Sequence, residues 1–149
     1  MTSMPSLLQL FADIDRAGVY QTDLDSAEIA AAARTAGLEV FRINLSSARG
    51  KSDLLDRIAK SLRFPPHFGN NWDALNDCLS DLEWLNQKGW LLIIGGATKF
   101  NSAHEEDFRA AIDVFASVAA HWRERQQPFW VLIQGSEELS AGLPRLVTD

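Results

Sequence analysis

Residues 89–95 read GWLLIIG: five apolar residues, Trp90 to Ile94, held between two glycines. A run this short and continuously apolar suits a strand buried on both faces, as strands of a parallel sheet are. FWVLI, residues 129–133, repeats the pattern directly after Pro128. LEVFRINL, residues 38–45, follows Gly37 and is rich in β-branched and aromatic residues, which predicts a third strand. Val19–Thr22 is a candidate short fourth strand, ahead of the other three.

The segments between these runs carry helical spacing. Ser26 can cap SAEIAAAARTA, and Gly37 supplies the left-handed stop just beyond it. From Lys51 or Ser52 onward, Leu54, Leu55, Ile58, Ala59 and Leu62 line one helical face until Pro65 and Pro66 end it. A further helix is predicted from Asn71 to Leu82. A long one is predicted from Ala103 to Arg125, with Phe108, Ile112, Phe115, Ala119 and Trp122 on its stripe. Residues 6–16 predict a short N-terminal helix, and Gly95-Gly96 a tight turn. Strands alternating with helices imply right-handed crossovers and an α/β fold. The expected architecture is a small parallel sheet of three main strands, with the N-terminal fourth as candidate, packed with helices. One domain accounts for residues 1–149, and residues 136–149 form a tail without pattern that is expected to be mobile.

Composition narrows the function. Hydrophobic residues make up 46% and charged residues 23%, which excludes a disordered or low-complexity chain. The net charge of −6 repels phosphate backbones and favours basic partners, so direct nucleic-acid binding is not expected. The one cysteine, Cys78, can form neither an internal disulfide nor a zinc cluster, which suits a reducing compartment. The N-terminal residues show no secretory pattern, and no apolar run is long enough to span a bilayer. A soluble cytoplasmic protein that binds no membrane is expected.

Residues 72–82 carry the functional information. Wound at helical pitch, Trp72, Leu75, Cys78, Leu79 and Leu82 gather on a core-facing stripe. Asp73, Asp77 and Asp81 fall at i, i+4 and i+8 on the other side, beside Asn76 and Ser80. Like charges at this spacing destabilise a helix by about 0.2–0.5 kcal/mol per pair, and only Asp73 lies where the helix dipole offsets that cost. No lysine or arginine occurs from Phe64 through Gln87. A surface shaped by stability alone intersperses the two signs, so this face reads as one that meets a cation.

At FPPHFGNNWDALNDCLSDL, residues 64–82, the chain resembles the barstar family, inhibitors of barnase-type ribonucleases. The matching features are the prolines, Phe68-Gly69, Asn71, Asp73-Ala74-Leu75 and Asp77-Cys78-Leu79. The order of elements from 38 to 134 agrees as well. Residues 1–37 would then be an N-terminal extension. The resemblance implies an immunity or antitoxin protein whose acidic helix and preceding loop plug the active site of a basic ribonuclease or related nuclease toxin. Asp77 would be the main phosphate mimic and Asp73 a second acidic contact, with Gly69 admitting close backbone approach. His67, Phe68, Asn70, Asn76, Ser80 and Asp81 would complete the patch. His67 and Asn76 stand where the family pattern has a tyrosine and a tryptophan, and a later acidic contact falls near Ser117. Weaker binding to barnase itself and a different cognate target are therefore expected.

The remaining candidates have simpler readings. Cys78 reads as a buried small hydrophobe. His67 reads as an interface contact whose protonation would counteract the acidic patch and make binding pH-dependent. His104 and His121 match no metal-ligand spacing and read as solvated surface. The five tryptophans read as core or edge residues. No catalytic residue, metal or cofactor is expected. The alternatives are a regulatory module that docks a basic partner without inhibiting a nuclease, and a hydrolase using the aspartates.

Overall fold

A computed structural model describes residues 6–66, 68–85, 88–135 and 142–146. Four parallel strands form the sheet: β1 (Val19–Thr22), β2 (Glu39–Asn44), β3 (Trp90–Gly95) and β4 (Phe129–Gln134). Their spatial order is β1-β4-β3-β2, so the candidate N-terminal strand is a full member and pairs with the last strand, Val19 opposite Val131.

Helices cover both faces. On one side lie α1 (Leu7–Ala12), followed by a 3₁₀ turn at Ile14–Arg16, and α2 (Ser26–Thr35). Leu91, Ile93, Trp130 and Leu132 meet them in one core. On the other side lie α3 (Lys51–Ser61), α4 (Trp72–Leu79), α5 (Ala97–Ala103) and α6 (Glu105–Glu124). Leu92, Ile94, Phe129, Val131 and Ile133 belong to that second, larger core. Successive strand residues point to opposite faces, and both faces are dry, which is why β3 is apolar from Trp90 to Ile94 and β4 from Phe129 to Ile133. Burying each Leu or Ile here contributes about 1.5–3 kcal/mol.

Several boundaries differ from the sequence reading. Asp25, not Ser26, caps α2: its carboxylate accepts from the Glu28 N–H at 3.3 Å. Gly37 follows with φ +90°, the expected left-handed stop. The long helix expected over 103–125 is α6, and a separate short helix, α5, precedes it, with His104 at φ −140° and ψ 60° between the two. ATKFNSA, the whole of α5, buries only Ala97 and Phe100, too few residues to show a period. The turn at Gly95-Gly96 is instead the entry to α5, with Gly96 at φ +70°.

The tail is also partly anchored. The Gln21 N–H donates to the Pro144 carbonyl at 2.8 Å, and the Leu146 N–H to the Gln21 carbonyl at 2.9 Å. Leu146 is buried in the α1–α2 core. Residues 136–141 and 147–149 lie outside the described residues. No helix among the described residues is long and apolar enough to cross a membrane.

Gly96 offers a direct test of the packing. A β-carbon there would overlap the Ser46 backbone nitrogen, where β2 leaves the sheet. Left-handed strain and overpacking each cost about 1–3 kcal/mol. Gly96→Ala is therefore expected to lower unfolding stability by about 2–4 kcal/mol, measured by urea denaturation.

Candidate functional site

The loop from Phe64 to Asn71 carries the chain from the end of α3 to the start of α4, and it rests on aromatic packing. Phe64 meets Phe68 edge-on at 5.0 Å between ring centroids and Trp84 at 5.9 Å. The Trp84 indole N–H donates to the Leu62 carbonyl at 2.8 Å, tying this stack to the end of α3. The backbone N–H of Phe68 donates to Pro65 O at 3.1 Å. Asn71 then caps α4: its side-chain oxygen accepts from the Ala74 N–H at 2.8 Å, while its amide donates to Gly69 O at 3.3 Å.

At its other end α4 is shorter than its polar pattern suggests. Its last carbonyl, Leu79 O, accepts from the buried Trp122 indole at 2.7 Å. The chain turns out of the helix through Ser80 and Asp81 to Leu82, which has φ +50°. Asp73 and Asp77 therefore lie on consecutive turns of α4, both exposed, but Asp81 lies beyond the helix. The expected i, i+4, i+8 stripe stops at its second member. Leu82 is nonetheless buried in the core.

Two hollows flank Asp77. The larger, about 540 Å³, is lined by Lys51, Asn71, Trp72, Asp73, Ala74 and Asp77. The smaller, about 260 Å³, lies between α4 and the loop and has Pro65, Phe68, Gly69, Ala74, Cys78 and Trp84 in its walls, with Asp77 and Asp81. A carboxylate shared by two hollows is presented as a ridge. The smaller hollow adds apolar walls that can take the stem of a long cationic side chain.

Of the residues singled out by sequence, Phe68, Gly69, Asp73, Asp77 and Asp81 come together here. Asn70 does not. With φ +51° its amide donates to Ser52 Oγ at 3.2 Å, and it lines a separate hollow with Asp53 and Asp56 of α3. Asn76 and Ser80 line neither of the two hollows beside Asp77, and Ser117 is exposed on α6. His67 lies outside the described residues.

Three features escaped the sequence reading. Trp72 is only half-buried, and the ammonium of Lys51 sits 5.5 Å from its ring centroid in a cation–π contact. A positive charge from α3 thus borders a face that has none in its own sequence neighbourhood. Asn71 was visible as part of the motif, yet its capping role follows only from where the helix begins. Cys78, expected in the core, is half-exposed in the wall of the smaller hollow. Burial pushes its thiol pKa up, and the carboxylates of Asp77 and Asp81 push it further. Trp90, Trp122 and Trp130 are buried as expected, and Trp84, like Trp72, is half-buried. Among the described residues no cluster of three or more His, Cys, Asp or Glu could hold a metal ion.

The family model described as Barstar (barnase inhibitor) matches residues 38–134, which takes in β2 through β4 and both hollows. No curated protein sequence matches the chain.

Two measurements probe this geometry. Asn71→Ala is expected to cost about 1 kcal/mol of stability and Asn71→Asp to restore most of it, read from denaturation midpoints. Alkylation of Cys78 by iodoacetamide at pH 8 is expected to run slower than that of an exposed thiol. Asp77→Asn and Asp81→Asn should each accelerate it, because each removes a charge that disfavours the thiolate.

Proposed function

The chain belongs to the barstar family, and we propose from that premise that it inhibits a basic ribonuclease by seating α4 over the enzyme's phosphate-binding groups. The observation that carries this reading is the exposed Asp77 ridge, flanked by Asp73 on one side and Asp81 on the other. A carboxylate accepts paired N–H donors from arginine much as a phosphate does. Three carboxylates in close order therefore imitate the anion such an enzyme binds.

The supporting structure fits a rigid plug. Asn71 fixes the first turn of α4, the Trp122 indole fixes its last carbonyl, and the Phe64–Phe68–Trp84 stack holds the loop beside it. A partner closing on this face meets side chains already in place, so little ordering entropy is lost on binding. The net charge of −6 steers a basic enzyme toward the acidic side. The single cysteine agrees with action in a reducing compartment, as an immunity or antitoxin protein requires.

Asn76 brings no aromatic anchor to this face, and Lys51 adds a cation at the edge of the larger hollow. Both differences favour a target other than barnase, since aromatic residues carry much of the energy at such interfaces. The decisive experiment measures RNA cleavage by a panel of basic bacterial ribonucleases, barnase included, with and without this protein. The expected result is inhibition of at least one enzyme, weakened about 10-fold or more by Asp77→Asn, less by Asp73→Asn, and reduced at high salt. Binding to a basic enzyme with cleavage intact would instead favour a regulatory docking module. Cleavage of substrate by this protein alone, lost in Asp77→Asn, would make it a hydrolase.

A further inference from the structure

A second kind of surface lies at the opposite end of the charge scale. Three open hollows bordered by α3, α4 and their loop each contain two carboxylates: Asp73 with Asp77, Asp77 with Asp81, and Asp53 with Asp56. A fourth, about 440 Å³, is lined by a cation and no carboxylate at all. It lies over the carboxyl ends of β2 and β3, where Arg42, Asn44, Ser46 and Gln134 meet Ser26 at the start of α2. In an acidic chain, a hollow from which carboxylates are absent is a local reversal of sign.

The donors in this hollow are unspent. Asn44 Oδ1 accepts from the Ser46 N–H at 2.9 Å, which fixes the orientation of the amide and leaves its NH₂ group facing no acceptor among the described residues. The Arg42 guanidinium is exposed and has neither an ion pair nor a hydrogen-bond acceptor among the described residues. Neighbouring Arg57 is different, since it donates to Asn44 O at 2.7 Å and Ser47 Oγ at 3.0 Å. Asp25 commits its carboxylate to the cap of α2 and does not line the hollow.

We propose that this hollow binds the phosphate group of a small phosphomonoester. A guanidinium fork, a primary amide and two hydroxyls converging from different elements suit a tetrahedral anion with three peripheral oxygens better than a planar carboxylate. The hollow lies at the carboxyl ends of the strands, the end of an open parallel sheet at which ligands bind. Its volume falls within the range of small-molecule sites. The site is remote in sequence from Asp73 and Asp77 and does not depend on the inhibitor reading.

The test titrates the full chain, at low salt, with inorganic phosphate and separately with adenosine 5′-monophosphate, following backbone amide shifts by NMR. Saturable shifts centred on Asn44, Ser46, Gly95 and Gln134 are expected, with Arg42→Gln weakening binding about 10-fold and Arg42→Lys less. The Tm of Arg42→Gln should match the parent, because the Arg42 guanidinium is exposed and has no partner among the described residues. Tighter binding of the nucleotide than of phosphate would identify an organic phosphomonoester as the ligand. Equal binding would identify the free ion as sufficient and overturn the phosphomonoester assignment. Absent shifts, shifts spread over all basic residues, or binding unchanged in Arg42→Gln would overturn the site itself.

Discussion

Everything in this fold depends on β3 and β4 being dry on both faces. They are the two central strands, and their successive side chains feed two separate cores. A polar residue at almost any position in either strand would be buried without a partner, at a cost of about 1–3 kcal/mol. That constraint sets the composition of both strands and places helices on each face. It also leaves the helices on the α3–α6 side as the scaffold from which α4 projects its polar surface.

The same constraint made the sheet legible in advance. WLLII and FWVLI could be read as two-faced strands because each is short, continuously apolar and set off by glycine or proline, and the strand bounds fall within a residue or two of the observed ones. Where tertiary contacts decided the outcome, periodicity failed. The end of α4 is fixed by an indole 43 positions away, from Trp122 to Leu79, and nothing in residues 72–82 encodes that stop. Asp81 was assigned to the helix for that reason. The short α5 lacked enough apolar residues to show itself, and Leu146 is a single anchor in a stretch without a repeat.

The candidate site was legible in a different manner. Asp73 and Asp77 were found from their spacing and from the missing positive charge around them, both local properties. Lys51 was invisible because it reaches Trp72 across the fold, and the mixed sign at the edge of the larger hollow exists only in three dimensions. Asn70 lies apart from the acidic ridge because its left-handed backbone turns its amide toward Ser52. Local charge pattern thus located the face, while its rim depended on packing.

The pairing of β1 with β4 also has a kinetic side. Val19 finds its place only against Val131, so β1 waits for β4 to be made before it can join the sheet. Closing so long a loop is entropically slow, and contacts of this separation form late. Until then the free edge of β4 and the apolar face covered by α1 and α2 stand open to other chains. Residues 38–134 can meanwhile assemble β2, β3, β4 and the acidic ridge from nearer neighbours. The N-terminal strand therefore acts as a closing seam, added after the acidic ridge has taken shape.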